Sequence, residues 1–299
     1  MNPLFKKFQR IFIAIAATAT LSATLIAAPI IKTGDSVAFL GDSITYFGAK
    51  YPGGYARLVE SGLKANGIDI TVIPAGVARN TAPDMLARVD KDVVVKKPVW
   101  MTLSCGVNDV NQRVPLEAYQ RDITAIVDQA QSAGIKVVIL TATVVGETID
   151  GTPRNRNTQA LPYNAFLHQL ADVRHLPLAD LNADMQAALA ARKAAGSSRE
   201  FELTVDGVHM NNAGNLVMAR GLLRTFGLTD AELAKAEDAW NASPDLVPLT
   251  ASLSISIPEN ELLEKRAGGT NRDQYLNEQF AKFLKSELEA ARNTSKSTP

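Results

Sequence analysis

A hydroxyl becomes a nucleophile when a base stands by to take its proton and a carboxylate orients that base. The chain has three histidines, His168, His175 and His209. His209 lies in Asp206-Gly207-Val208-His209, just ahead of a helical run over 213–225. A carboxylate three residues before the ring can accept a hydrogen bond from one ring nitrogen and leave the other free as base. His168 falls inside a helical stretch and His175 precedes an apolar strand, which makes structural roles the simpler reading for both. The hydroxyl is offered by Gly41-Asp42-Ser43-Ile44-Thr45, which follows the apolar run 36–40. A serine just past the carboxyl end of a strand stands where open parallel sheets bind ligands, and a helix start presents free N–H groups to a developing anion. Each block alone is also an ordinary turn or helix-cap sequence.

Two further runs end in groups that could complement such a serine. Residues 69–73 lead into Pro74-Ala75-Gly76, and residues 99–104 into Gly106-Val107-Asn108-Asp109. A glycine N–H can approach a substrate closely, and an asparagine amide can complete an oxyanion hole. With strands also expected at 136–141 and 176–179, and helices at 54–65, 82–93, 116–133 and 161–173, the pattern is βαβα. It predicts an α/β fold with a doubly wound, parallel five-stranded sheet flanked by helices. The third helix carries Tyr119, Ile123, Ile126 and Val127 on one face. Three segments stand apart. Residues 146–159 are polar and turn-rich, and predict a loop at the mouth of the site. Residues 247–258 alternate apolar positions between prolines, as an edge strand does. Residues 271–292 place Leu276, Phe280, Phe283, Leu284 and Leu288 on one helical face, which predicts a docked amphipathic helix.

The 299 residues are 46% hydrophobic, enough for a large core, and Lys+Arg equals Asp+Glu at 31 each. Nothing in that balance selects a nucleic acid. The single cysteine, Cys105, lies in an apolar run and reads as a buried thiol that cannot form an internal disulfide. Lys6, Lys7 and Arg10 precede an uncharged run over 11–31 that is rich in small residues. This order predicts a signal peptide over 1–28 and a secreted or periplasmic protein without stable membrane association once cleaved, an uncleaved anchor being the alternative. No glycine-rich phosphate motif follows the first strand, the histidines are scattered, and Gly-x-Ser-x-Gly is missing around Ser43. Neither cofactor nor metal is expected.

Taken in order, the serine, glycine, asparagine and Asp-x-x-His blocks resemble an SGNH/GDSL-type hydrolase over about 34–226. The resemblance implies a flavodoxin-like hydrolase domain at 34–231 and Ser43 as nucleophile, with His209 and Asp206 completing the triad. It also implies an oxyanion hole made by the N–H groups of Ser43 and Gly76 and the Asn108 side chain. Family members often carry an asparagine before the Ala-Gly pair and a second glycine after it, where this chain has Pro74 and Arg79. That departure bears on pocket shape, with Asp42, Arg79, Asn80 and Tyr46 as candidate substrate contacts. Tyr46, Phe47, Tyr51 and Tyr55 follow the nucleophile and could flank a sugar, although Tyr55 also suits the core. Secreted relatives commonly remove acetate from polysaccharides, so a small-molecule or polysaccharide ester is the expected substrate. A lipid-acting lysophospholipase or thioesterase, or a non-catalytic carbohydrate-binding relative, are the alternatives. Residues 232–299 lie outside the resemblance and carry no expected role.

Overall fold

The computed structural model describes residues 28–147, 156–243, 257–268 and 271–295. Five parallel strands, β1 (Ser36–Gly41), β2 (Thr71–Gly76), β3 (Trp100–Ser104), β4 (Lys136–Leu140) and β5 (Leu178–Ala179), lie in the order β2-β1-β3-β4-β5. The inner strands are apolar and buried because helices cover both faces, as parallel sheets require. The chain leaves β1 toward β2 on one side and returns to β3 on the other, so the crevice between diverging connections opens at the carboxyl ends of β1 and β3. Register sets Gly41 opposite both Gly76 and Ser104, which brings the ends of three strands level there.

The connections form α1 (Ser43–Lys50), α2 (Tyr55–Ala65), α3 (Ala82–Leu86), α4 (Val89–Asp92), α5 (Val107–Gln112) and α6 (Leu116–Ser132). They continue with α7 (Asn157–Arg174), α8 (Leu181–Ala194), α9 (Asn212–Thr225) and α10 (Asp230–Ala242). One layer packs α2 with α9 and α10, and α8 with α9; the other packs α3, α4 and α7 around α6. Tyr119, Ile123, Ile126 and Val127 of α6 are fully buried, as their spacing predicts. Tyr55 belongs to the core too: its ring packs edge-on against Phe39 and its hydroxyl lies 2.9 Å from Thr45 Oγ1.

Several boundaries differ from expectation for local reasons. β2 runs on through Pro74 to Gly76, since the donors to β1 fall on the phase of Thr71 and Val77. Pro74 is on the opposite phase, at the sheet edge, where no donor is needed. The helix expected at 82–93 divides at Arg88, which leaves helical geometry between α3 and α4. α7 starts at Asn157, whose side chain accepts from the Val145 N–H, so 157–159 are helix rather than loop. Residues 148–155 of that loop, 1–27 of the expected signal segment and 247–256 of the expected edge strand lie outside the described residues; Ile257 and Pro258 open a helix instead.

The described residues up to 243 form one compact unit. α10 is part of it: Asn66 Nδ2 donates to Glu232 O, and Trp240 Nε1 donates to Leu58 O at 3.0 Å. This first unit thus extends past residue 231, the expected end of the first domain. A second unit contains α11 (Ile257–Ala267) and α12 (Arg272–Ser295), the latter covering the amphipathic stretch expected at 271–292. Among the described residues no helix is long and apolar enough to cross a membrane. Trp240 is 3% exposed, so Trp240→Ala should cost about 3–5 kcal/mol of stability, read by urea unfolding. A loss below about 1 kcal/mol would mean that α10 is not part of the folding unit.

Candidate active site

β1 runs directly into α1, and Asp42 caps the junction by accepting the Ile44 N–H at 2.9 Å. Ser43 occupies the first helical position, where a backbone N–H has no intrahelical acceptor. Its Oγ lies 2.9 Å from His209 Nε2, and His209 Nδ1 lies 2.6 Å from Asp206 Oδ2. The other Asp206 oxygen accepts the Val208 and His209 N–H groups at 3.0 and 2.8 Å, so one carboxylate holds both the ring and its backbone. The turn needs Gly207, whose φ is +92°. Partial burial pushes the Asp206 carboxyl up, but the bonds from the His209 ring and the two backbone N–H groups outweigh this and hold it below its ordinary range. An ionised acceptor places the imidazole hydrogen on Nδ1 and leaves Nε2 to accept the serine proton.

Besides the Ser43 N–H, the other two expected oxyanion donors, Gly76 and Asn108, touch α1 or its cap. Gly76 abuts the first turn of α1 so closely that a Cβ there would lie 2.3 Å from Tyr46 N. Its N–H, out of phase with the Thr71 and Val77 donors, points away from β1. Asn108, in the first turn of α5, donates through Nδ2 to Asp42 Oδ2 at 3.2 Å and to Asn80 O at 3.1 Å. An oxyanion would exchange the long bond to Asp42 for a shorter, charge-assisted one. Burial pushes Asp42 up to about 6, despite the Ile44 N–H.

A family model for the GDSL-like lipase/acylhydrolase family matches residues 39–217, which spans all four blocks. The chain belongs to this family. It is a serine-type carboxylic ester hydrolase. An acetylxylan esterase of Geobacillus stearothermophilus is 27% identical over 66% of this chain and 96% of its own length. The solved structure of the Geobacillus stearothermophilus acetylxylan esterase Axe2 superposes with a TM-score of 0.57 at 26% identity, covering 67% of this chain and 97% of that one. That of the acetyl xylan esterase AlAXEase gives 0.58 at 30% identity, covering 63% and 98%. Axe2 variants titled catalytic mutants carry alanine at a serine, at an aspartate, and at a histidine three positions after that aspartate.

Four further side chains had been candidates for substrate contact in this GDSL-like hydrolase, and two of them face inward. Asp42 is 3% exposed and serves Asn108 and the α1 cap. Asn80 gives its carbonyl to Asn108 and its amide oxygen to Arg88 Nε, at 2.6 Å. Arg79, in a left-handed conformation at φ 69°, and Tyr46 are exposed. His168 pairs with Asp180 at 3.0 Å and His175 ends α7, both in structural roles. Cys105 is buried, its thiol pushed well up first by that burial.

Two residues that local sequence patterns did not single out hold the site together. Arg88 donates to Ala75 O at 2.9 Å and to Gly41 O at 2.8 Å, joining the ends of β2 and β1 beneath the serine. Glu147, 2% exposed, accepts from the Glu202 and Leu203 N–H groups at 2.6 and 3.0 Å and from Thr204 Oγ1 at 2.6 Å. Its own N–H donates to Gly207 O at 2.8 Å. Glu147 therefore fastens the segment that follows β4 to the turn that carries Asp206 and His209. The only trace of it in the sequence is an acid soon after an apolar strand, which signals nothing by itself.

Glu147→Gln would turn amide hydrogens toward those donors, and should lower kcat by about ten- to a hundredfold with KM changed by less than about threefold. Turnover at the wild-type rate in a folded variant would show that the turn holds itself. Asp42 governs a separate pH effect. Its carboxyl is raised from 3.8 to about 6, so between those values the folded protein keeps a proton that the unfolded chain has lost. The contribution of Asp42 to stability should therefore fall as pH rises through that window, by up to about 3 kcal/mol. Asp42→Asn keeps a good cap without the charge. Urea unfolding at about pH 4 and about pH 7 should show the variant gaining on wild type at the higher pH; a constant difference would rule out a penalised buried charge.

Proposed function

We propose that this enzyme removes short acyl groups, acetate above all, from carbohydrate, through an acyl-enzyme on Ser43. The observation that carries the reading is the unbroken hydrogen-bonded chain from Asp206 through His209 to Ser43 Oγ. His209 Nε2 takes the Ser43 proton as Oγ bonds to the ester carbon, and the resulting oxyanion is met by the Ser43 and Gly76 N–H groups and the Asn108 amide. The intermediate collapses as the bond to the alcohol oxygen breaks and His209 returns the proton to that oxygen. Water, deprotonated by the same nitrogen, then attacks the acyl-enzyme; acetate leaves and Ser43 recovers its proton. Ionised Asp206 stabilises the imidazolium that forms twice in each cycle.

Two acetylxylan esterases support acetate and a sugar polymer as substrate, and the catalytic mutants of one fall at residue types and a spacing that match Ser43, Asp206 and His209. The basic residues followed by an apolar run at the amino terminus support export to where such polymers lie.

Ser43→Ala or His209→Ala should reduce ester hydrolysis by roughly ten-thousandfold or more without unfolding the protein. Asn108→Ala should lower kcat by roughly a hundred- to a thousandfold with little change in KM, because its bond to oxygen strengthens as charge develops. Wild-type rates in the first pair would remove the triad, and a change confined to KM would remove Asn108 from the oxyanion hole. For the substrate, purified enzyme is incubated with acetylated polysaccharides and with phospholipid. Acetate release is expected; fatty acid without acetate overturns the carbohydrate reading.

A further inference from the structure

The outward face of α1 is unlike the surface of an ordinary helix. Ser43, Ile44, Thr45, Gly48 and Ala49 point inward. The positions turned to solvent are Tyr46, Phe47 and Lys50, followed at the cap by Tyr51, whose N–H bonds Phe47 O at 3.1 Å. The three aromatic residues are 40%, 37% and 39% exposed. They form one connected surface: Phe47 stacks on Tyr51 with ring centres 5.8 Å apart and planes 13° apart, and Tyr46 meets Phe47 edge-on at 5.3 Å. Lys50 Nζ lies 5.4 and 5.6 Å from the Tyr46 and Tyr51 rings and 3.5 Å from Tyr46 Oη. The surface begins at the catalytic base, since the Phe47 and His209 rings are 5.6 Å apart, edge to face.

The chemistry states which part of a substrate reaches that surface. The carbonyl oxygen must face Gly76 and Asn108, whereas the alcohol oxygen must face His209 Nε2 to receive its proton. The remainder of the alcohol then extends past the imidazole, over Phe47. Because contiguous exposed aromatics forfeit favourable burial, three together beside a catalytic base point to a ligand that covers them. A pyranose suits this surface: its C–H face packs on flat rings, while hydroxyls at its edge reach the two phenols and the ammonium of Lys50. An alkyl chain would leave those polar groups covered and unpartnered.

We propose that Tyr46, Phe47 and Tyr51, rimmed by Lys50, form the subsite for the sugar ring that bears the ester, on the leaving-group side of Ser43. The proposal rests on the carbohydrate-esterase reading and adds where the sugar binds.

The test compares kcat/KM on an O-acetylated xylooligosaccharide with that on ethyl acetate, whose alcohol is too small to span the rings. In wild type, Tyr51→Ala and Tyr46→Ala, the ratio of the two should fall by about tenfold with each alanine, mainly through KM on the saccharide. Tyr51→Phe, which keeps the ring, should retain the ratio within about threefold. Turnover of ethyl acetate verifies that each variant is folded, and Tyr46→Ala gives the same reading if Tyr51→Ala does not fold. An unchanged ratio in both alanine variants, with a wild type that deacetylates the saccharide, overturns the subsite alone. An equal loss on both substrates also overturns it, because the rings would then be supporting His209. A wild type that cleaves ethyl acetate but not the saccharide overturns the carbohydrate reading and the subsite together.

Discussion

The hydrogen bond from Ser43 to His209 spans 2.9 Å of space and 166 residues of chain, and the rest of the unit is arranged around keeping it closed. Proton transfer between the two tolerates little error in placement. One end is secured by regular structure: β1 is the second strand in the order, paired on both sides, and Asp42 fixes how α1 leaves it. The other end has no strand beneath it. A single antiparallel bridge between Thr204 and Met210, the Asn211 amide donating to Glu202 O and Thr204 O, and the Glu147 carboxylate do that work. Three donors on the buried Glu147 side chain replace the ladder that a longer strand would supply, and its buried oxygens must stay bonded.

Carboxylates near the serine are separated by environment rather than by residue type. Asp206 stands half-exposed among donors and is held below its ordinary range. Asp42 is shut away from water and pushed up to about 6, although the bond from the Ile44 N–H works in the opposite direction. Asp109 is pushed up as well, first by burial, while it accepts from the Ala82 N–H and the Cys105 thiol. Of these three carboxylates Asp206 is the one bonded to His209, so on the proposed mechanism the residue that must stay ionised during turnover is also the one whose surroundings favour the charge.

What could be read in advance and what could not divide by distance along the chain. Asp206 and His209 are three residues apart, and Gly41-Asp42-Ser43 is contiguous, so local order marked them as candidates, and the alternation of apolar runs with helical stretches foretold the sheet. Arg88 and Glu147 act on partners at 41, 75 and 80, and at 202–204, positions that come together only once the sheet is wound. The placement of α10 was hidden for the same reason, because Trp240 finds its acceptor at Leu58, 182 residues earlier. β2 was misjudged at its end because Pro74 reads as a strand terminator unless the strand is known to lie at the edge. Asn80 looked available for substrate because nothing local told of the Arg88 fork that takes its amide oxygen.

Gly76 links the two sides of the site. Its missing side chain lets the end of β2 press against the backbone of Thr45 and Tyr46, and a Cβ there would fall 2.7 Å from Thr45 C. The same contact thus fixes the first turn of α1, from which Tyr46 projects, against the end of β2. The α1–β2 contact is backbone against backbone, with no flexible side chain to absorb a shift. On the proposed mechanism the oxyanion site and the aromatic surface are therefore not independent: the helix that starts at Ser43 packs against Gly76 and presents Tyr46 and Phe47 to solvent.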